Sequence, residues 1–118
     1  MKRPILLVDD DAHILETAQD ILDAAGFAVQ TAETGVAALK VLSEHSCAVM
    51  VVDFNLLDTT GIDLAVKARR LQPDLVIVLM TGEEHVDLGS AQGIIHAILT
   101  KPVNPSELID IIHKIVDL

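Results

Sequence analysis

The stretch Ala48-Val49-Met50-Val51-Val52-Asp53 places five apolar residues directly before a carboxylate. An apolar run this short, flanked by polar residues, predicts a strand that is buried on both faces. Asp53 would then lie at the carboxyl end of that strand, which is where open parallel α/β sheets place their ligands. Asp53 is therefore the first candidate functional residue.

Polar residues also follow three other apolar runs, at residues 5–8, 75–80 and 94–100. Each of these runs predicts a further strand. Because parallel strands end at the same edge of a sheet, the residues that follow them should converge on one place. The residues in these positions are Asp9, Asp10, Thr81 and Lys101.

The segments between the first strands predict helices, because apolar residues recur in them at the spacing of an amphipathic helix. The first helix is expected over residues 11–25, with Asp11 as its cap rather than as a metal ligand. Gly26 supplies its stop. The second helix is expected over residues 34–43.

Two further helices have clear start signals. Thr60 can cap the third helix, with Asp63 three residues later in a capping-box arrangement. The last helix begins where Asn104 provides a cap and Pro105 the first helical position, and it is expected to continue to the terminus. The predicted inner face of the third helix consists of Ile62, Ala65, Ala68 and Leu71.

Residues 82–93 give the weakest helix signal of the chain. Only three apolar residues mark the face of a helix there, and Gly89 would cost about 1 kcal/mol relative to alanine in a helix interior. A fourth helix in this segment should therefore be short or irregular.

Five predicted strands, including a short one near an edge at residues 27–31, alternate with five predicted helices. This alternation implies right-handed crossovers and a parallel sheet that is covered on both faces. We therefore expect a flavodoxin-like doubly wound (βα)5 fold, as a single domain over residues 1–118 with strand order 2-1-3-4-5. In that order strands one and three are neighbours, so Asp9, Asp10 and Asp53 come together.

Three carboxylates in one pocket repel one another, and like charges at short range raise each other's pKa. A hard divalent cation resolves this repulsion. Mg²⁺ prefers oxygen ligands and often combines one or two carboxylates with a phosphate oxygen. Because the chain has no glycine-rich phosphate loop, a bound nucleotide is not the expected source of that phosphate.

Composition excludes several other classes of protein. With 118 residues, 51% of them hydrophobic, the chain can bury the core of one domain. A net charge of −10 disfavours direct contact with nucleic acid, whose phosphates require lysine and arginine. No stretch has the length of a signal peptide or a membrane span, so a cytoplasmic protein with no membrane contact is expected. The single cysteine, Cys47, is interpreted as a small buried side chain.

The set formed by Val8-Asp9-Asp10, Asp53, Thr81-Gly82 and Lys101-Pro102 resembles the receiver domain of two-component response regulators along the whole chain. This resemblance implies a phosphorelay domain that changes conformation when it is phosphorylated. Its expected partners are a sensor histidine kinase or a histidine phosphotransfer protein, together with an output domain or protein of unknown type. It is not an enzyme in the usual sense, but it should catalyse its own aspartyl phosphorylation and dephosphorylation.

The resemblance also implies roles for individual residues. Asp53 is the expected phosphoacceptor and also a metal ligand. Asp10 is implied as a direct ligand of Mg²⁺, with Mn²⁺ as the alternative ion, and Asp9 as a ligand that acts through water. The backbone carbonyl of Asn55 would complete the coordination.

Further roles implied by the resemblance concern the phosphoryl group. The Thr81 hydroxyl would bind one phosphoryl oxygen and Lys101 another. Asn55 and Glu83 occupy positions that tune access of the hydrolytic water. Thr81 and Ile98 occupy the switch positions.

The chain departs from the family pattern at three positions. Leu57 replaces a frequent proline, and Thr60 replaces the usual aspartate before Gly61. Ile98 replaces a tyrosine or phenylalanine, so a change at Thr81 would be relayed by backbone and packing through the segment that follows it.

Asp58 and Glu33 are interpreted as solvated loop residues, and His96 as a bonded core or edge histidine.

Two alternatives belong to other functional classes. The first is a receiver-like docking module that does not depend on phosphorylation. The second is an aspartyl-phosphate hydrolase of the haloacid dehalogenase type, which is disfavoured because Asn55 stands where such enzymes carry a second aspartate.

Overall fold

A computed structural model describes residues 3–83 and 85–116 of the chain. Each apolar run identified in the sequence contributes one strand to a single five-stranded sheet. The strands are β1 (Ile5–Val8), β2 (Val29–Ala32), β3 (Val49–Asp53), β4 (Val76–Thr81) and β5 (Ile95–Thr100).

Four α-helices connect or follow these strands within the described ranges. They are α1 (Ala12–Ala24), α2 (Gly35–Glu44), α3 (Gly61–Leu71) and α4 (Pro105–Val116). The predicted continuation of the last helix over residues 117 and 118 lies outside the described residues. None of these helices has the length and apolar character that a membrane crossing requires.

The strand order is β2-β1-β3-β4-β5, and every neighbouring pair is parallel. Alternate residues of the central strands face two separate hydrophobic clusters, so the sheet is covered on both sides. Met50 and Val52 belong to one cluster, and Val49 and Val51 belong to the other. The predicted flavodoxin-like doubly wound fold and its strand order are confirmed.

Side-chain caps fix the starts of the helices where the sequence predicts them. The Asp11 carboxylate accepts hydrogen bonds from the backbone N–H groups of His13 and Ile14, at 2.9 and 3.3 Å. Thr60 accepts a bond from the N–H of Asp63. Asn104 likewise accepts one from Ser106, and Pro105 is the first residue of α4. Each cap satisfies an N–H group that has no partner within its helix.

The prediction of five helices is wrong in one place, because the segment after β4 contains only a short 3-10 turn, Gly89–Ala91, among its described residues. The expectation of a short or irregular element there agrees with this geometry. Gly89 and Gly93 have φ angles of 49° and 86°, which are outside the α-helical range. Ala91 is buried against the core, and its N–H donates to the carbonyl oxygen of Leu88 at 2.8 Å, so both packing and 3-10-type hydrogen bonds hold the turn.

Two boundary and face predictions are also corrected. Leu71 is 51% exposed, whereas Leu64 is buried beside Ala65 and Ala68, because the face that α3 turns to the sheet is centred nearer its start. The second strand is Val29–Ala32 rather than residues 27–31, but it does lie at an edge of the sheet.

Candidate functional site

The carboxyl ends of four strands bring the candidate residues to one edge of the sheet. Asp9 directly follows β1, Asp53 ends the neighbouring strand β3, and Thr81 ends β4. Lys101 directly follows β5, and its backbone N–H donates to the carbonyl oxygen of Thr81 at 2.8 Å. Strand order and register therefore place side chains from distant parts of the chain around Asp53.

Asp9, Asp10 and Asp53 form the acidic cluster. One carboxylate oxygen from each residue lies within 4.8 Å of the other two. Asp9 and Asp53 are buried and Asp10 is exposed, so the cluster is open to solvent on one side. Three oxygen ligands at this separation suit a hard divalent cation, so these residues could hold a metal ion.

Lys101 provides the positive charge beside this cluster. Its ammonium nitrogen lies 2.9 Å from Oδ1 of Asp53 and 3.0 Å from Oδ2 of Asp9. Burial acts to lower the pKa of Lys101, but its bonds to the two carboxylates outweigh burial and leave the pKa raised. Lys101 therefore remains charged and neutralises part of the acidic cluster.

Asp53 has a raised pKa. Burial is the main cause, because it disfavours the ionised carboxyl group. The bond to Lys101 acts in the opposite direction, and the negative charges of Asp9 and Asp10 raise the pKa further. Ionisation of Asp53 therefore costs free energy in the folded protein, and a cation in addition to Lys101 would reduce that cost.

Asp9 is fixed from two sides. Its Oδ1 accepts a hydrogen bond from the N–H of Asp11 at 3.0 Å, and its Oδ2 accepts the bond from Lys101. Because both oxygens already have partners, Asp9 has a defined orientation at the floor of the cluster.

Thr81 is buried beside the cluster, and its hydroxyl oxygen accepts a hydrogen bond from the N–H of Glu83 at 3.1 Å. The hydroxyl hydrogen remains available to donate elsewhere, because an oxygen that accepts one bond can still donate its own hydrogen. Glu83 is exposed, so its side chain lies on the solvent side of the site.

Residues 54–60 form a tight loop between β3 and α3, which we call the β3–α3 loop. Asn55 pairs with Thr60 in an isolated antiparallel bridge, and Leu56 donates its N–H to the carbonyl oxygen of Thr59 at 3.1 Å. The loop closes onto β3 at Gly61, where an added Cβ would lie 2.5 Å from the carbonyl oxygen of Asp53. Asn55 is exposed and two residues from the acceptor candidate.

The structure brings together all the candidate residues that follow the strands, but Ile98 lies apart from them. Ile98 is 44% exposed on the edge strand β5, three residues before Lys101. Asp11 caps α1, Glu33 is an exposed loop residue and Cys47 is buried, as predicted. His96 is exposed on the edge strand β5, which agrees with the edge position predicted for it.

Asp58 has a role that the sequence did not reveal. It is exposed, as predicted for a loop residue, but its carboxylate accepts hydrogen bonds from the N–H groups of Gly35 and Val36 at the start of α2. These bonds lower the pKa of Asp58. Because the partners are more than twenty residues away, no local motif could have indicated the contact.

The family model for the response regulator receiver domain matches residues 5–113. The chain therefore belongs to the response regulator receiver domain family. It is 31% identical over 116 residues to the response regulator receiver protein CpdR of Brucella abortus, an alignment that covers 97% of this chain and 96% of that protein.

Solved structures agree with this family. A CheY-like receiver domain protein from Methanospirillum hungatei is 29% identical and superposes with a TM-score of 0.92, covering 99% of this chain and 95% of its own. The Thermotoga maritima response regulator TrrA, solved in complex with Mg²⁺ and BeF, is 29% identical with a TM-score of 0.87, covering 98% of this chain and 99% of its own.

Several other curated relatives are longer regulatory proteins. The chain spans only 24% to 59% of their length. The match to those proteins is therefore a match to their receiver portion.

Proposed function

We propose that residues 1–118 are a receiver domain that accepts a phosphoryl group on Asp53 and passes the signal on as a change of conformation. The observation that carries this proposal is the contact of Asp53 with Lys101 at 2.9 Å within the three-carboxylate cluster. A buried, partly neutralised carboxylate at a solvent-open strand end is a suitable nucleophile for phosphorus.

The proposed reaction has two steps. A carboxylate oxygen of Asp53 attacks the phosphorus of a phosphohistidine, the bond from phosphorus to the imidazole nitrogen breaks, and an aspartyl phosphate forms. Water then attacks the phosphorus and releases inorganic phosphate, which restores the Asp53 carboxylate. Positioning and charge neutralisation are the main sources of catalysis in phosphoryl transfer.

Each neighbouring residue supplies one part of that catalysis. Lys101 transfers its ion pair from the Asp53 carboxylate to a phosphoryl oxygen. The Thr81 hydroxyl oxygen accepts a bond from Glu83, which leaves the hydroxyl hydrogen available. Thr81 donates that hydrogen to a second phosphoryl oxygen. Asp9 keeps Lys101 in place during this exchange, because it holds the ammonium through its own 3.0 Å bond.

The residues also fit a metal ion. Asp10 and Asp53 would hold Mg²⁺ directly, Asp9 through water and Asn55 by its backbone carbonyl, with Mn²⁺ as the alternative ion. When bound, such an ion supplies positive charge to the oxygens of the transferred group. The relative TrrA, which was solved with Mg²⁺ and BeF, supports this choice of ion.

The proposed phosphodonor is a sensor histidine kinase or a histidine phosphotransfer protein in the cytoplasm. An apolar groove of about 550 Å³ between α1 and the start of α4 reaches Lys101, and Ile14, Ala18 and Pro102 are among its lining residues. A helical donor that packs in this groove would present its histidine to Asp53. The acidic net charge supports an output partner other than nucleic acid for this domain.

The direct test is intact-mass measurement after incubation with a small phosphodonor, such as acetyl phosphate, and Mg²⁺. We expect one added phosphoryl group that is absent from Asp53→Asn and absent after chelation of the metal. Asp74→Asn, which removes an exposed carboxylate away from the cluster, is the matched control and should label normally. Normal labelling of Asp53→Asn would contradict the assignment of the acceptor.

The rival docking module, which would not depend on phosphorylation, is not favoured. A module of that kind has no need of a buried carboxylate pair with a shared lysine, since these charges are costly to bury. The presence of Asp9, Asp53, Thr81 and Lys101 at one edge of the sheet supports the phosphorylated receiver.

A further inference from the structure

The tip of the β3–α3 loop is bonded to a helix that lies elsewhere in the chain. Oδ1 of Asp58 accepts a hydrogen bond from the N–H of Gly35 at 2.8 Å, and Oδ2 accepts one from Val36 at 3.0 Å. Both carboxylate oxygens are therefore used at the first turn of α2. The partial positive charge of that helix end favours a carboxylate in this position.

The absence of a side chain at Gly35 leaves room for the β3–α3 loop at the start of α2. A Cβ added to Gly35 would lie 2.5 Å from the Thr59 side-chain methyl carbon and 3.4 Å from Oδ1 of Asp58. The close approach of the loop thus depends on the absence of a side chain at residue 35. Two separate features, the Asp58 carboxylate and the glycine, serve the same contact.

The β3–α3 loop transmits this contact to the site because it is internally bonded. Leu56 bonds to Thr59, Asn55 pairs with Thr60, and Gly61 donates its N–H to the carbonyl oxygen of Phe54 at 2.7 Å. The bonds at Leu56 and Gly61 are the two that form the Asn55–Thr60 bridge, so they tie the two sides of the loop together. Fixing its tip against α2 therefore also fixes Asn55.

We propose that Asp58 is a positioning residue of the phosphoryl site: it holds the β3–α3 loop against α2 and so places the Asn55 backbone carbonyl beside Asp53. This inference rests on the proposed function, which assigns that carbonyl to the metal. The two bonds of the Asp58 carboxylate go to Gly35 and Val36, so Asp58 acts on the site through the loop.

The alternative is that Asp58 merely caps α2. That helix already has a local cap, because the Thr34 hydroxyl oxygen accepts a hydrogen bond from the N–H of Ala37 at 3.0 Å. Thr34→Ala therefore weakens the start of α2 without removing either Asp58 bond. It is the matched control that separates helix capping from loop positioning.

The experiment compares wild type, Asp58→Asn and Thr34→Ala by three measurements: urea unfolding, Mg²⁺ titration followed by NMR, and amide hydrogen exchange of residues 54–60 without metal. Asparagine keeps the shape of Asp58 but offers one oxygen acceptor in place of two and removes the charge. We expect both variants to lose stability. Only Asp58→Asn should bind Mg²⁺ about tenfold more weakly, as is typical when a residue that orients a metal ligand is changed. Only in Asp58→Asn should the amide hydrogens of residues 54–60 exchange faster.

Equal metal affinity and equal loop exchange in Asp58→Asn and Thr34→Ala would overturn the inference and leave Asp58 as a helix cap. A wild-type protein that binds no Mg²⁺ and takes no phosphoryl group would instead overturn the proposed function, and with it the assignment of Asp58 to a phosphoryl site. The two failures are distinguishable, because loop exchange is measured without metal and still reports whether Asp58 holds the loop.

Discussion

The ammonium nitrogen of Lys101 lies 2.9 Å from Oδ1 of Asp53 while it also bonds Asp9 at 3.0 Å. One lysine thus serves two buried carboxylates, with a third at Asp10 nearby. The cluster carries more negative than positive charge, so its stability and its chemistry both depend on cations.

Replacing Lys101 with methionine should destabilise the protein by about 2 kcal/mol. Breaking a buried ion pair costs roughly 3–5 kcal/mol, but the Lys101 side chain is 26% exposed and solvent screening reduces the effect. Mg²⁺ should restore more stability to Lys101→Met than to wild type, because it replaces the missing charge. Urea unfolding followed by circular dichroism, with and without Mg²⁺, measures both effects. Lys40→Met, which changes an exposed lysine on α2, should alter neither.

Replacing Asp53 with asparagine should stabilise the metal-free protein at neutral pH by about 0.5–2 kcal/mol. The pKa of Asp53 is raised in the folded state from its ordinary value of 3.8, so the folded protein binds this proton more tightly than the unfolded chain does. The stabilisation from that proton is present below pH 3.8 and is lost as pH rises through the raised pKa. Lys101 keeps its bond to Asp9 in the variant.

The difference in unfolding free energy between Asp53→Asn and wild type should therefore shrink as the pH falls and Asp53 becomes protonated. A neutral carboxyl group resembles an asparagine amide. Unfolding free energies measured from neutral pH down to the onset of acid unfolding test this. A difference that stays constant with pH would show that Asp53 ionisation is not its cause.

The residues that follow strands could be predicted from the sequence because each is marked by its position. Asp9, Asp53 and Thr81 end or directly follow buried strands, Lys101 directly follows the edge strand β5, and parallel strand ends converge. The pattern also indicated that the segment after β4 would not form a regular helix, since it is rich in glycine and poor in apolar residues.

Contacts between distant segments could not be predicted in this way. The bonds from Asp58 to α2 join residues that are close only because α2 and the β3–α3 loop meet beyond the sheet edge. Leu71 is exposed rather than part of the inner face, because helical spacing predicts a stripe of apolar residues but not the point at which the helix leaves the sheet. Both features depend on the packed arrangement of the elements.

Replacing Gly61 with alanine should destabilise the protein by about 1–3 kcal/mol and reduce phosphorylation of Asp53. The added Cβ would lie 2.5 Å from the Asp53 carbonyl oxygen and 3.1 Å from the Phe54 Cα, and backbone atoms cannot move aside easily. Gly82→Ala is the matched control near the same site, because no atom lies within 4 Å of its added Cβ. Thermal unfolding and intact-mass labelling of both variants measure the effects. Equal behaviour of the two would contradict the close contact at Gly61.

Replacing Asn55 or Glu83 with leucine should slow dephosphorylation by up to about tenfold. Both side chains are exposed at the rim of the site, where they can orient the hydrolytic water, and such orientation supplies less than the roughly 10²–10⁴-fold that a general base provides. The decay of phosphorylated protein, followed by intact mass after removal of the donor, gives the rate. Glu33→Leu, an exposed change outside the cluster, is the control. Unchanged decay in both site variants would remove these residues from the hydrolytic step.

Phosphorylation of Asp53 should reach the surface through the segment that follows β4. Ile98 has neither a hydroxyl group nor an aromatic ring, so a movement of Thr81 must pass through the backbone that follows it. Glu83 is bonded to Thr81 through its N–H, and the residues beyond it contain only the 3-10 turn Gly89–Ala91 within the described part of the segment. Ala91 is the one buried residue among the described residues of this segment. A segment that buries so few side chains opens easily, and a coupling of about 1–3 kcal/mol is enough to reorganise it.

We therefore expect amide hydrogen exchange, measured with Mg²⁺ alone and with Mg²⁺ and beryllofluoride, to change most between residues 82 and 93. Thr81→Ala is the matched variant, since it removes the hydroxyl to which Glu83 is bonded, and it should abolish most of the change while leaving exchange in α1 unaltered. An unchanged segment in wild type, with a response at α1 or at the exposed face of α4 instead, would show that the signal leaves the site by another route.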